Sequence, residues 1–174
     1  MITDHQIRQM MPNAGARLDA HLPFINAAIE EGRINTPARI AAFMAQLAHE
    51  SGEYRYMEEL ADGWAYEGRA DLGNNQPGDG PRFKGRGLIQ LTGRANYTDY
   101  GAAIGRDLLS DPTPVASDPA LAVDVACGFW ESCGLNAMAD ADDVTRITRR
   151  INGGLNGFAD RQANLGRAKF FLEA

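Results

Sequence analysis

Residues 36–52 read Thr-Pro-Ala-Arg-Ile-Ala-Ala-Phe-Met-Ala-Gln-Leu-Ala-His-Glu-Ser-Gly, and they predict a helix with a defined start and end. Thr36 is a residue type that caps helix N-termini, and Pro37 suits the first helical position. The apolar residues recur three and four positions apart along one stripe: Ile40, Phe43, Met44 and Leu47. Because the same spacing reaches Glu50 before Gly52 ends the helix, this carboxylate is predicted at the end of the buried stripe.

Further helices are predicted on both sides of this one. Thr3 and Gln6 match the capping-box pattern of a short first helix, and Pro23 is expected in the first turn of the second. Residues 88–91 are predicted to form a short strand, and Thr92 to cap the helix that follows. The fold class is therefore predicted as mainly helical (α+β), with a small irregular β part.

The composition describes an acidic globular chain of 174 residues, which suits one domain. A net charge of -6 argues against a general nucleic-acid-binding surface, because phosphate contacts need a basic excess. The polar N-terminus lacks the apolar centre of a signal peptide, and no run approaches the roughly 20 apolar residues of a membrane-spanning helix. Cys127 and Cys133 favour two buried thiols over a local disulfide, and the few histidines predict no metal site.

Glu50 is the residue with the most informative position. At the C-terminal end of a buried stripe, a carboxyl group is partly desolvated and feels the negative end of the helix dipole. Both effects favour the protonated form, which a general acid needs. A glutamate that points into water or pairs with an arginine is the alternative, and spacing alone favours that alternative slightly.

A second carboxylate follows within ten residues. If the chain turns back after Gly52, Glu58 or Glu59 can face Glu50, and the alternation of side chains allows only one of the two to point inward. Two facing carboxyl groups, one protonated and one ionised, are the minimum equipment for glycoside hydrolysis. The alternative is an acidic loop exposed to solvent, which has the same spacing of glutamates and no catalytic role.

Uncharged hydrogen-bonding residues and one arginine lie at the ends of predicted elements: Gln90, Thr92, Asn96, Asn152 and Arg161. Sugars are bound by such groups together with aromatic faces. The candidates for these faces are Trp64, Tyr66, Tyr97 and Trp130. Capping and turn chemistry accounts for several of the polar residues equally well.

Three separated segments carry a resemblance to a known family: 45–52 (Ala-Gln-Leu-Ala-His-Glu-Ser-Gly), 84–97 (Lys-Gly-Arg-Gly-Leu-Ile-Gln-Leu-Thr-Gly-Arg-Ala-Asn-Tyr) and 151–154 (Ile-Asn-Gly-Gly). In this order they resemble glycoside hydrolase family 19, which contains chitinases and the chitinase-like endolysins of bacteriophages. The resemblance implies a lysozyme-like, two-lobed single domain with a substrate cleft. It also implies an inverting mechanism without cofactor or metal, with carboxyl groups about 6.5–9.5 Å apart.

Matched position by position, the resemblance makes Glu50 the general acid, Glu59 the general base, and Thr92 the residue that helps to hold the attacking water. The positions that match substrate-binding or site-supporting residues are Gln90, Asn96, Tyr97, Asn152 and Arg161. Residues 66–74 are similar to phage and prophage endolysins rather than to plant chitinases. Glu67 in that stretch, like Glu58, remains an alternative base.

These residues predict an endolysin that hydrolyses β-1,4 bonds in the glycan strands of peptidoglycan, with muramidase specificity favoured. A chitinase acting on N-acetylglucosamine polymers is the alternative, followed by a non-catalytic wall-binding domain. We expect residues 1–174 to form one catalytic domain without a separate wall-binding module, and to be a monomer. We expect synthesis in the host cytoplasm and action in the periplasm and cell wall after release by a holin.

The last quarter of the chain is locally basic. Its cationic residues, set against the single acid Asp160, are Arg146, Arg149, Arg150, Arg161, Arg167 and Lys169. Such an excess can engage an anionic outer-membrane surface or wall phosphates. Solvated helix faces plus one or two site arginines are the favoured alternative.

Overall fold

The computed structural model describes residues 1–173 and is mainly helical, which confirms the predicted fold class. In chain order its α-helices are α1 (Asp4–Met10), α2 (Arg17–Glu30), α3 (Pro37–Glu50), α4 (Asp79–Arg82), α5 (Arg94–Ala103), α6 (Pro114–Ser117), α7 (Pro119–Ser132), α8 (Leu135–Asp140), α9 (Val144–Asn152) and α10 (Phe158–Leu172). Within residues 1–173, none of the helices combines the length and apolar character that crossing a membrane requires.

The described residues divide into two compact units. The first contains Met1–Arg55 and the chain from Phe129 onward, and the second contains Tyr56–Gly128. Glu50 belongs to the first unit and Glu59 to the second. Each unit therefore positions one of the two predicted catalytic carboxylates.

The first unit is organised around α3, whose residues are all buried from Ile40 to Ala48. The Thr36 hydroxyl accepts a hydrogen bond from the Arg39 amide, and Pro37 follows it, as predicted. Helix α10 packs along α3, and the Trp130 ring meets Phe43 edge-on with 5.4 Å between ring centroids. The apolar stripe thus fixes α3 on several sides, and with it the position of Glu50.

A left-handed turn follows α3. Gly52, Glu53 and Tyr54 have φ angles of 57°, 57° and 65°, a region that non-glycine residues rarely adopt. Ser51 supports the turn, because its hydroxyl donates to the Leu47 carbonyl and accepts from the Tyr54 amide. Strain of this kind persists only where surrounding contacts enforce it, and the two Ser51 bonds are such contacts.

The second unit has its own apolar core. The buried residues of this core are Phe83, Leu91, Tyr97, Leu108, Val115, Leu121 and Val125. Two isolated antiparallel bridges, Glu58 to Arg86 and Arg86 to Leu91, hold the irregular part of this unit. Together they bring the segment that carries Glu59 against residues 84–91.

Three local predictions are wrong. Residues 88–91 form a turn with a single bridge instead of a strand, because Gly87 and Gln90 have φ angles of 77° and 52° that interrupt an extended chain. Thr92 does not cap α5: Gly93 is the N-cap, and the Thr92 hydroxyl donates to the Gln90 carbonyl instead. Pro23 lies inside α2, because that helix already begins at Arg17.

The two cysteines are thiols in the structure. Cys127 is buried, which agrees with the prediction, whereas Cys133 is partly exposed.

An ion pair buried in the second unit ties its loops together. The Asp79 carboxylate receives two hydrogen bonds from the Arg94 guanidinium and two more from the amides of Asn75 and Gln76. The Arg94 guanidinium also stacks on the Phe83 ring, 4.8 Å from its centroid. The hydrogen bond from Arg94 is the main reason why the pKa of Asp79 lies below its ordinary value.

Asp79→Asn is expected to lower the free energy of unfolding by about 3 kcal/mol at pH 7, because it leaves the Arg94 guanidinium without its counter-charge. Since the depressed pKa belongs to the folded state, this contribution is present above about pH 4 and is lost as the pH falls through the folded-state value. Urea unfolding across this pH range measures both effects. Asp71→Asn, which breaks an exposed pair with Arg69, serves as the control and is expected to change little.

Candidate active site

Glu50 is fixed by a buried arginine. Nη2 of Arg161 lies 2.5 Å from Oε1 of Glu50, and the arginine side chain is only 2% exposed against 20% for the glutamate. Nη1 of the same guanidinium donates to the side-chain carbonyl of Gln46, one turn earlier on α3. Glu50 is therefore not a lone desolvated carboxyl group, and Arg161 supports the site from within the protein.

The residue before Glu50 makes a parallel contact. Nδ1 of His49 lies 2.6 Å from Oδ2 of Asp160, and Asp160 precedes Arg161 on α10. Two consecutive residues of α3 thus pair with two consecutive residues of α10. The double pairing fixes the last turn of α3 against the first turn of α10, so His49 serves as a structural contact there.

Gly157 allows the His49 ring to lie against the start of α10. It is the N-cap of that helix with a φ of 70°, and a Cβ atom built there would come within 2.5 Å of Nε2 of His49. Both the backbone conformation and the space require glycine at this position.

Glu59 is held by two donors in the second unit. The Tyr66 hydroxyl donates to Oε1 at 2.9 Å, and the Gly85 amide donates to Oε2 at 3.1 Å. The backbone amide of Glu59 in turn donates to the Gly85 carbonyl, and Nζ of Lys84 to the carbonyl of Glu59. Burial is the main reason why the pKa of Tyr66 is raised, followed by its bond to Glu59, so the phenol remains a donor.

The two alternative carboxylates are engaged elsewhere. Glu58 is exposed and pairs with Lys84 and Arg86, with its Oε1 atom 3.1 Å from Nη2 of Arg86. Both oxygens of Glu67 accept bonds from backbone amides, those of Gly78 and Gly80. Glu67 therefore holds a loop closed, whereas Glu59 accepts one bond from a side chain and one from the backbone.

Three of the predicted polar residues form a chain of bonds beside Glu59. Gln90 donates to the carbonyls of Tyr56 and Gly87, and its side-chain oxygen and the Glu59 carboxylate both lie against the α-carbon of Gly85. The Thr92 hydroxyl donates to the Gln90 carbonyl, and the Asn96 amide to the Thr92 carbonyl. The structure thus brings Gln90 next to Glu59 and connects Thr92 and Asn96 to it through the backbone.

The predicted aromatic faces behave differently. Tyr97 is fully buried in the core of the second unit, where its hydroxyl bonds to the Lys84 carbonyl, so the prediction that it contacts substrate is wrong. Burial also raises the pKa of Tyr97 to about 12. Trp130 is buried as well, and its indole N–H donates to Asn136. Trp64 is 60% exposed and keeps a ring face available to a sugar.

Asn152 ends α9 and is exposed, with its side-chain amide donating to the Asn156 carbonyl. Of the basic residues in the last quarter, Arg161, Arg167 and Lys169 pair with acidic partners of the first unit. Arg146, Arg149 and Arg150 are exposed on α9.

The sequence reading missed Gln46 and the supporting role of Tyr66. Gln46 is a polar residue on the apolar stripe four positions before Glu50, which is a signal for a buried partner. Tyr66 offers no such signal, because only the fold brings its hydroxyl to Glu59. In residues 1–173, no three His, Cys, Asp or Glu side chains are grouped so as to hold a metal ion.

Comparison with known proteins identifies the family. A family profile described as chitinase class I, glycosyl hydrolase family 19, matches residues 18–147. A glycosyl hydrolase family 19 domain-containing protein of Haemophilus influenzae is 32% identical, with 92% of each chain covered. The chain belongs to glycoside hydrolase family 19. The predicted resemblance is therefore confirmed, and the protein is a chitinase-like glycoside hydrolase.

Solved chitinase structures agree with the fold. Chitinase C of Streptomyces griseus superposes with a TM-score of 0.84 at 24% identity, covering 99% of this chain and 77% of that one. A bacterial family 19 chitinase gives a TM-score of 0.79 at 25% identity, covering 99% and 93%.

A plant chitinase that the chain matches is longer than the chain. An endochitinase of Arabidopsis thaliana is 41% identical over 66% of this chain but only 39% of its own length. The chain thus spans well under half of that plant chitinase and nearly all of the bacterial relative.

Gly157→Ala is expected to destabilise the protein more than Gly153→Ala, which is the matched control. Both glycines have φ angles near 70°, so each alanine costs roughly 1–2 kcal/mol of backbone strain. Only at position 157 must the His49 ring also move, since nothing lies within 4 Å of a Cβ at position 153. Urea unfolding gives the free energies, and the imidazole NMR signals report the ring. Equal losses for both variants would contradict the close contact.

Proposed function

We propose that this family 19 chain is an endolysin that hydrolyses the β-1,4 bonds of peptidoglycan glycan strands by an inverting general acid/base reaction. The observation that carries the proposal is Glu50. It ends a helix that is buried from Ile40 to Ala48, and a buried guanidinium fixes one of its carboxylate oxygens. Such a group can be held in one orientation toward a glycosidic oxygen, which general acid catalysis requires.

Glu50 takes the role of the acid. Arg161 contacts Oε1 only, and Oε2 accepts no hydrogen bond from residues 1–173. In the proposed reaction, Oε2 delivers the proton to the leaving oxygen as the glycosidic bond breaks. Arg161, itself held by Gln46, keeps the carboxyl group in place during the transfer and stabilises the carboxylate that remains.

Glu59 takes the role of the base, with Thr92 helping to hold the water. The Tyr66 hydroxyl and the Gly85 amide occupy one acceptor position on each carboxylate oxygen, and every such oxygen has two. A remaining position accepts the proton of a water molecule as that water attacks the anomeric carbon. Because no covalent intermediate forms, the configuration at that carbon inverts.

Peptidoglycan is favoured as the substrate because residues 66–74 resemble endolysins and because the chain matches its bacterial relative over almost the full length of both. Chitin is the second candidate, since the plant and Streptomyces relatives are named chitinases. Peptidoglycan lies outside the cytoplasmic membrane. The proposal therefore includes release of the enzyme from the host cytoplasm, with a holin as the expected route, and action as a monomer.

Glu50→Gln keeps the shape of the side chain and removes the proton. Hydrolysis of purified peptidoglycan is expected to fall by about 10²–10⁴-fold, the usual contribution of a general acid. Mass spectrometry of released, borohydride-reduced muropeptides measures the rate and identifies the bond. Reduced muramitol ends indicate a muramidase, glucosaminitol ends a glucosaminidase, and anhydro ends a lytic transglycosylase.

Glu30→Gln is the control for this experiment, because Glu30 likewise ends a helix but is exposed. If Glu50→Gln releases muropeptides as fast as the parent and Glu30→Gln, the acid assignment fails. If the parent degrades chitin and leaves peptidoglycan intact, chitin is the substrate.

Glu59→Gln is expected to lose activity by about 10²–10⁴-fold as well, because the amide cannot accept the proton of the water. Glu58→Gln is expected to keep most of the activity, and Glu67→Gln to lower the thermal midpoint more than kcat, since Glu67 holds a loop closed. Steady-state rates and thermal unfolding of the three variants separate these roles. An inactive Glu67→Gln or Glu58→Gln beside an active Glu59→Gln would reassign the base.

A further inference from the structure

The arginines of α9 differ from every other arginine of residues 1–173. Each of the others lies against a carboxylate or a carbonyl oxygen of the protein, whether exposed like Arg69 or buried like Arg161. The side chains of Arg146, Arg149 and Arg150 have no such partner among these residues. In an acidic chain, this leaves unpaired positive charge at one place.

The three guanidinium groups share one face. Residues three and four apart lie next to each other on a helix surface, which is the spacing from Arg146 to Arg149 and Arg150. The opposite side of α9 is buried through Ile147 and Thr148. Because the apolar side of α9 is packed in the protein, only charge and hydrogen bonds are available on its outer face to bind a partner.

Neighbouring acids do not neutralise this face. Asp140 pairs with Arg39 and Asp142 with Lys169, while the Asp143 carboxylate caps α9 by accepting from the Arg146 amide. Like charges at these spacings repel each other, so the unpaired arrangement costs helix stability. An anionic partner relieves that repulsion.

The charged face of α9 is connected by one short loop to residues next to Glu50, the proposed acid. Helix α9 ends at Asn152, and the loop after it reaches Gly157, whose α-carbon lies against the His49 ring next to Glu50. All of these residues belong to the first unit. At 1.5 Å per residue, α9 extends about 13 Å from that loop, a distance within reach of groups attached to a bound glycan.

We propose that Arg146, Arg149 and Arg150 bind the carboxylates of the stem peptides that branch from the glycan of peptidoglycan. The inference rests on the proposed function and deepens it, because it gives a physical reason for preferring peptidoglycan over chitin. Chitin is uncharged, whereas each stem peptide carries free carboxylates. Guanidinium groups form forked hydrogen bonds to carboxylates, and several exposed pairs together contribute where one contributes little.

An anionic lipid surface is the competing partner for the same charges. Peripheral binding to lipid is strong when basic residues are combined with apolar side chains that enter the interface. The apolar side of α9 is buried instead. The position of the face beside the surroundings of Glu50 favours the substrate itself.

A binding measurement with a protein that cannot hydrolyse peptidoglycan tests this inference independently of activity. Arg146→Gln, Arg149→Gln and Arg150→Gln are combined in the Glu50→Gln protein, and the affinity for insoluble peptidoglycan is measured by co-sedimentation. The loss of three exposed charge pairs is expected to weaken binding about tenfold at low salt. The difference is expected to shrink near 0.5 M salt, where screening is strong. Peptidoglycan with amidated carboxylates is expected to bind both proteins alike, as is chitin.

The control combines Arg8→Gln, Arg69→Gln and Arg106→Gln, which removes the same net charge from exposed arginines that have acidic partners. The inference is overturned if both triple variants bind peptidoglycan alike, or if the α9 variant loses chitin binding equally. It is also overturned if only binding to phosphatidylglycerol vesicles falls, which would identify a lipid surface. The two proposals fail separately. If the parent protein hydrolyses no peptidoglycan, the proposed function is refuted. If the α9 variant still binds peptidoglycan more weakly than the control variant, the binding face is retained.

Discussion

The contact between Arg161 and Glu50 is the interaction on which the first unit depends. A guanidinium that is almost fully buried needs an acceptor for its charge, and the last residue of α3 supplies it. The same group bonds to Gln46, so it grips two successive turns of the helix. Since Arg161 lies in the first turn of α10, the pairing that stabilises the packing of α10 on α3 also orients the carboxyl group. The contact that stabilises this packing is thus also the one that orients the proposed acid.

Glu59, the proposed base, is held in a different way. Glu59 lies outside the helices and is held by two donors: the Tyr66 hydroxyl, at the end of a short 3-10 helix (Trp64–Tyr66), and the backbone amide of Gly85. The surrounding backbone takes left-handed conformations at Gly87 and Gln90, which fold residues 84–91 into a turn around that amide. Such a site gains precision from hydrogen bonds to the backbone, which substitutions of side chains leave largely unchanged.

Net charge describes this protein poorly. A total of -6 suggests an acidic surface. Most arginines, however, contact a carboxylate or a carbonyl oxygen of the same chain, whereas the three on α9 do not. What a partner meets is the charge that remains unpaired at each place, and at α9 this charge is positive. The total excludes a broad basic surface, but it says nothing about a local one.

Local periodicity and capping chemistry were enough to predict α3, its cap, its buried stripe and the position of Glu50 at its end. The motifs of segments 45–52, 84–97 and 151–154 determined the family. The sequence alone did not predict the turn at 88–91 or the burial of Tyr97. It also did not predict which carboxylate, Glu59 or Glu67, lies beside Gln90. A short, mostly apolar run such as 88–91 is compatible with a strand or with a turn. An aromatic side chain such as Tyr97 can pack in a core or contact a sugar. These features became visible in the folded chain, because burial and hydrogen-bond partners depend on residues distant in sequence, such as Lys84 for Tyr97 and Arg161 for Glu50.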